Sequence, residues 1–291
     1  MRKLLKEVEL LQLLDLHLGR PVVREALTVF PVWNGAAVRS RGYDLSSADL
    51  SVQERTGHAV VAELVVTNNG RRPALVLEGE LLEGGQQHRV AARSMLIQPG
   101  QAHVLEVRCV EQGRWSGART HVRTGRRAPL SVRAAQQQDR TWQRVSDLEA
   151  RHGGGDTHFL GDALRSADER AARLVAGLAP LPFQSGVLLC IAGQPVQLEV
   201  FDSPRTLASV WSALLHAAAV DALSCTPVAT PGRRARRFLD RVRSLSQTSH
   251  DGTHGSTSRR ASPYAELTSL SWGDRTVHAV ATNPRHELVM A

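Results

Sequence analysis

The stretch HRVAARSMLIQPGQAHVLEVRCV, residues 88–110, decides the fold. Two arms of alternating apolar and polar residues flank Pro99-Gly100, a dipeptide that turns a chain back on itself. In the second arm Leu105, Val107 and Cys109 alternate with Glu106 and Arg108, the period of a strand with one buried face. The reading is a β-hairpin, and its neighbours on the N-terminal side have the same texture. LTVFPVW (27–33) is a strand by its β-branched and aromatic content. HAVVAELVVTNNG (58–70) is a long strand stopped by Asn-Asn-Gly, and RPALVLEGELL (72–82) is another, broken at Gly84-Gly85. YDLSSADLSVQE (43–54) offers Asp44 or Ser46 as a cap and predicts a short helix. The first third is therefore mostly antiparallel β.

From Leu130 onward the period lengthens. Val132, Trp142, Val145 and Leu148 fall at near-helical spacing before Gly153-Gly154-Gly155, and a second helix is expected over 161–179, stopped by Pro180 and Pro182. A hairpin over 185–202 turns at Gly193-Gln194. The third long helix follows, capped by Ser203, opened by Pro204, with Leu207, Val210, Trp211, Leu214 and Leu215 on one face. A last hairpin spans 264–282. Residues 229–262 are rich in Arg, Ser, Thr and His and are expected to form a mobile basic loop. The sum is an α+β fold, mainly antiparallel sheet with about three long helices in the second half. It is expected as one domain over 21–291, preceded by an amphipathic N-terminal helix over 1–20.

Composition sets further bounds. The 291 residues are 42% apolar and 22% charged, ordinary for a globular chain that buries a core. No apolar run reaches the ~20 residues of a membrane span, and Glu7, Glu9 and Asp15 interrupt the N-terminal apolar stretch, which argues against a signal peptide. Cys109, Cys190 and Cys225 are far apart and odd in number, which fits a reducing cytoplasm. The net charge of +8 is uneven: residues 119–133 hold five Arg and no acid, and residues 233–260 hold eight Arg and two Asp, leaving the rest slightly acidic. With that excess in two expected loops and no recognition helix or finger, specific binding of duplex DNA is not expected, while RNA stays open as a partner. The twelve His show no metal-ligand spacing, so no metal is expected. Phosphate-loop, dinucleotide and serine-elbow motifs are also missing.

Two short motifs remain. GGQQHR contains Gly84, Gly85, Gln87 and Arg89; CVEQGRW contains Cys109, Val110, Glu111, Gly113, Arg114 and Trp115. With LTVFPVW, DRTWQRV and GVLLCIAGQPVQLEVFDSP they make residues 25–282 resemble the ARG-and-rhodanese-phosphatase-superfamily-associated domain family. The N-terminal 20 residues and a long 229–262 stretch depart from that pattern. Through gene association with ADP-ribosylglycohydrolases and phosphatases, the resemblance implies nucleotide- or NAD-derived chemistry; it assigns no reaction and no cofactor.

Strand parity gives the motifs a geometry of their own. Gln87 and Arg89 share a face, as do Cys109 and Glu111, and Gly113 frees Arg114 and Trp115 from the ladder. Arg89 and Arg114 suit bidentate contact with phosphate or carboxylate. Gly84 and Gly85 can present backbone N–H groups to an anion. Trp115 can stack on a ring, Glu111 is the candidate general base, and Glu80 is a candidate for a ribose hydroxyl. The expected function is binding or processing of an anionic, nucleotide-like small molecule related to ADP-ribose or NAD, with catalysis left open. The alternative is a non-catalytic interaction module in which an Arg–Glu pair braces neighbouring strands, Trp115 is a core lid and Cys109 is inward packing.

Overall fold

The computed structural model describes residues 13, 15–45, 49–57, 59–246 and 257–290. It is α+β and its strand pairs within sheets are antiparallel. The chain divides into two compact units, one contiguous over 42–173 and one built from residues 1–41 with 174–290.

The second of these opens with β1 (Leu16–Leu18), β2 (Val22–Arg24) and β3 (Leu27–Asn34). Most of the expected N-terminal helix lies outside the described residues; of its last residues, Leu16–Leu18 pair with β3 as a strand.

The contiguous unit holds β4 (Leu50–Gln53), β5 (Glu63–Asn68), β6 (Ala74–Val76), β7 (Glu80–Gly84), β8 (Arg89–Ala91), β9 (Met95–Ile97), β10 (Ala102–Cys109) and β11 (Thr120–Arg127). Six of these close a barrel in the order β10-β5-β4-β11-β7-β8, and β6 pairs with β9 beside it. Leu50, Val52, Leu64, Val66, Leu82, Ala91, Leu105 and Val107 form its apolar core, as a small barrel filled by side chains requires. Helices α1 (Leu130–Ala134), α2 (Gln138–His152) and α3 (Leu160–Leu174) follow, burying Val132, Val145, Leu148 and Leu164.

Three sequence expectations are corrected here. Residues 50–53 are strand β4 rather than part of a helix, because Leu50 and Val52 alternate inward while Gln53 faces out; residues 46–48 lie outside the described set. The 72–82 strand is two, divided at Gly79, whose φ is +79°. The first arm of the 88–110 hairpin also divides: Arg89–Ala91 pairs with β10 in the barrel, whereas Met95–Ile97 leaves it to pair with β6.

The chain then returns to the discontinuous unit with β12 (Gly186–Ile191), β13 (Gln194–Phe201), α4 (Pro204–Ala222), α5 (Gly232–Ser246), β14 (Thr257–Ser262), β15 (Ala265–Trp272) and β16 (Arg275–Thr282). Its eight-stranded sheet runs β1-β3-β12-β13-β16-β15-β14, with β2 beside β3. Ser203 caps α4 as expected, accepting the Arg205 N–H at 3.3 Å. Within the expected mobile loop over 229–262, residues 232–246 are instead helix α5 and 257–262 strand β14; residues 229–231 are irregular, and 247–256 lie outside the described set. The cause is a helical apolar stripe among the arginines. Ala235, Phe238, Leu239 and Val242 are buried against the sheet with Phe30, Leu198 and Leu267. The long helices thus number four among the described residues, against the about three expected.

Candidate functional site

Antiparallel pairing brings the ends of β4, β7 and β10 and the starts of β5, β8 and β11 to one end of the barrel. Both motifs lie there. Cys109 is opposite Arg89, and Arg89 is opposite Leu82, so Arg89 and Cys109 share the side-chain parity of the core residues Ala91 and Val107. Arg89 is fully buried. Its Nε donates to the Val61 carbonyl at 3.1 Å, and its Nη1 donates to Gln87 Oε1 and the His88 carbonyl, each at 3.4 Å. Nη2 is buried with no hydrogen-bond partner. Gln87 in turn donates from Nε2 to the Glu111 carbonyl at 2.9 Å. The Cys109 thiol donates to that carbonyl at 2.8 Å and to Gln87 Oε1 at 3.2 Å.

The chain leaves the ladder after Cys109, before the release expected at Gly113, so Glu111 lies beyond β10 rather than on its face. Val110 and Gly113 exchange backbone hydrogen bonds with the 157–160 segment, and Glu111 forms an isolated bridge with Phe159. Glu111 is 1% exposed. Its Oε1 accepts from Arg114 Nε at 3.0 Å, and its Oε2 from Arg114 Nη2 at 2.8 Å and the His88 N–H at 3.0 Å. Arg114 also donates from Nη1 to the carbonyls of Gly85 (2.9 Å) and Ser116, and from Nη2 to that of Gly84 (3.4 Å). Its guanidinium therefore ties the GGQQHR turn to the CVEQGRW turn. Trp115 is 50% exposed, and the Arg89 guanidinium carbon lies 5.7 Å from its ring centre.

Glu80 is separate from this group. It sits at the far end of β7, four residues or roughly 13 Å of strand from Gly84. There it is half of an ion pair with Arg123, at 2.5 and 2.9 Å.

Three residues that sequence reasoning did not single out complete the cluster. Glu54, 3% exposed, accepts at Oε1 from the Gln86 N–H (3.0 Å) and sits 3.2 Å from His121 Nε2; its Oε2 is buried without a partner. His121 is directly opposite Gly84 and Val52. His88 accepts the Gly84 N–H at Nδ1 (2.8 Å), lies 3.7 Å from Glu111 Oε2 through Nε2, and stacks on Phe159 with ring centres 3.8 Å apart. Glu54 continues the Leu50–Val52 alternation, a signal hidden once 43–54 is taken for a helix. Both histidines could have been found from their neighbours, Gly84-Gly85 and β11.

The electrostatics follow from burial. Desolvation pushes the His88 imidazole down to about 4, against the pull of Glu111. It also lowers His121, although Glu54 and the Leu82 carbonyl favour the charged form. Burial raises the Cys109 thiol, outweighing the Glu111 carbonyl and Arg89. Burial also acts to raise Glu111, but the Arg114 hydrogen bonds, the His88 N–H and the nearby charges outweigh it, and the carboxyl stays below its ordinary value. The thiol is thus a poor nucleophile, Glu111 a weak base and both imidazoles neutral at pH 7. Among the described residues no cluster of His, Cys, Asp and Glu has the makings of a metal site.

No helix among the described residues is long and apolar enough to cross a membrane. Neither a curated protein nor a solved structure matches the chain. A family model does, over residues 15–282, which include both motifs, and the chain belongs to the family it describes, the ARG and Rhodanese-Phosphatase-superfamily-associated Protein domain.

Proposed function

We propose that the barrel unit is a binding module whose motif-bearing end takes an anionic, ring-bearing small molecule, a nucleotide phosphate or an ADP-ribose derivative, between Arg89 and Trp115. The observation that carries this reading is the Arg89 guanidinium, fully buried with Nη2 lacking a hydrogen-bond partner beneath the half-exposed Trp115. A buried charged donor left unpaired is costly, and an anionic oxygen would satisfy it. Trp115 is the group a ligand must move aside, and its indole can then stack on the ligand's ring. Gly85 lets His121 and Glu54 pack against the turn's backbone, since a Cβ there would fall 2.0 Å from His121 Nε2.

A brace rather than a base is the better role for Glu111. Its carboxylate is engaged by three donors, and those donors hold it ionised and weakly basic. The same holds for Arg114, whose guanidinium is taken up by Glu111 and three backbone carbonyls. This favours the structural reading for that pair alone. The free thiols of Cys109 and Cys190, both buried, support a cytoplasmic setting.

A thermal-shift screen of NAD, ADP-ribose and nucleotide phosphates tests the proposal on wild type, Arg89→Lys and Trp115→Ala. Ligand at a hundredfold excess over Kd should stabilise the wild type by about 2.7 kcal/mol, with the shift reduced in both variants. If no nucleotide shifts the wild type, or Trp115→Ala responds equally, a water is the partner of Arg89 and the unit is an interaction module.

A further inference from the structure

Helix α5 carries Arg233, Arg234, Arg236, Arg237, Arg241 and Arg243 in fifteen residues, against one acid, Asp240. The acid is tied to Arg243 at 3.1 Å. Because the helix packs through Ala235, Phe238, Leu239 and Val242, the arginines are not free to spread around it. Arg233, Arg237 and Arg241 recur at every fourth position, which sets their Cβ atoms about 6 Å apart in one row. Arg233, Arg236 and Arg237 are exposed, and no acidic partner is recorded for them among the described residues.

Two features make this row more than a solvated face. The first turn of α5 contains no acid and two arginines, the reverse of what the helix dipole prefers. Backbone and side chains therefore add to one positive potential at the start of the helix. At the other end of the row Tyr264, on the β14–β15 turn, is held between two guanidiniums, with Arg241 at 4.3 Å and Arg285 at 4.2 Å from the ring centre. Arg285 Nε is further fixed on the Pro263 carbonyl at 3.1 Å. Both side chains are thus ordered in advance, which lowers the entropy lost on closing a phosphate contact.

We propose that Arg233, Arg237, Arg241 and Arg285 form a track for the phosphodiester backbone of a single-stranded nucleic acid. A line of cations with this spacing fits successive phosphates of one flexible strand. The exposed residues of α5 are Arg, Asp and Ser, so a bilayer would find no apolar side chain to take up. The site needs no base readout, and sequence-tolerant binding with steep salt dependence is its signature.

Fluorescence anisotropy on the full chain with labelled 12-nucleotide oligo-U and oligo-dT tests it, with a blunt 12-base-pair duplex and phosphatidylserine vesicles as comparators. Four phosphate contacts give a slope of log K on log salt of about −3, an affinity loss of about 50-fold between 50 and 200 mM salt. The variant R233Q/R237Q/R241Q/R285Q, with wild-type circular dichroism and melting, should flatten the slope and abolish binding. Tyr264→Ala, which keeps every charge, should weaken binding about two- to fivefold by releasing Arg241 and Arg285. The track is overturned if oligo-U and oligo-dT fail to bind, if the fourfold variant keeps the slope, or if duplex or vesicles bind as tightly as the single strands.

Discussion

Glu111 and Arg114 are three residues apart and close the segment that leaves the barrel. With Glu111 1% exposed, removing its carboxylate strands a guanidinium among carbonyls and unmakes the His88 N–H bond. Glu111→Ala should cost about 3 kcal/mol in a urea melt at pH 7; a loss near zero would mean that solvent replaces the pair. The pH dependence follows from the neighbouring groups. Glu111 is held below the ordinary carboxylate value, so its stabilisation is complete above about 4.3 and disappears as pH falls through its lower native value. His88 acts in an earlier window. Its Nδ1 must stay unprotonated to accept the Gly84 N–H, and its pKa drops from 6.5 to about 4 on folding. Between those values the unfolded chain takes up a proton that the folded chain refuses, and stability falls with pH. His88→Asn, whose Oδ1 can replace Nδ1, should lose less stability between pH 7 and pH 5 than the wild type. Equal losses would place the titration elsewhere, with His121 the first suspect.

At the level of elements, the β7–β8 turn shows how a sequence signal becomes a site. Gly85 has φ +61°, and an added Cβ would collide with His121; Gly100, at +70°, has nothing within 4 Å. Both Ala substitutions carry the left-handed strain of about 1–2 kcal/mol. Only Gly85→Ala adds overpacking, and it should be the more costly by about 1–3 kcal/mol in matched denaturant melts. Such glycines and the alternation of Leu105, Val107 and Cys109 are legible, because each is a local rule acting over two or three residues. The ladder, however, ends at Cys109 rather than at Gly113, and Gln87 and Glu111 lie outside β8 and β10. The closing of the barrel is not legible. Its ladder joins β11 to β4 and β7, pairings that no alternation encodes, and it is what adds Glu54 and His121 to the site. Helix α5 was missed for a different reason. Its four core positions are diluted by six arginines, and composition over that window reads as loop until the spacing of Ala235, Phe238, Leu239 and Val242 is weighed alone.

On the scale of the whole chain, the barrel core and the core between the sheet and α5 divide cleanly by sequence among the described residues. Of those residues, the barrel core comes from Leu50–Val107, and the core under α5 from Leu13–Val32 with Leu188–Ala281. The barrel unit is one uninterrupted segment, whereas the sheet unit is completed by strands from both sides of it. No Pro-, Gly- or Ser-rich linker marks the second crossing, because helix α3 runs unbroken to Leu174. That continuity is why composition alone showed no boundary. A core complete within one contiguous stretch is the physical requirement for independent folding. Residues 42–173 expressed alone should therefore melt cooperatively with a β-rich circular dichroism spectrum, and Glu111→Ala should lower that midpoint as it lowers the whole chain's. Residues 15–41 alone should not hold β3, which there has lost β12, its partner from Leu27 to Val32. A 42–173 fragment that melts without cooperativity would show that the barrel core depends on the rest of the chain, and the fragment's own nucleotide response separates that outcome from failure of the proposed site.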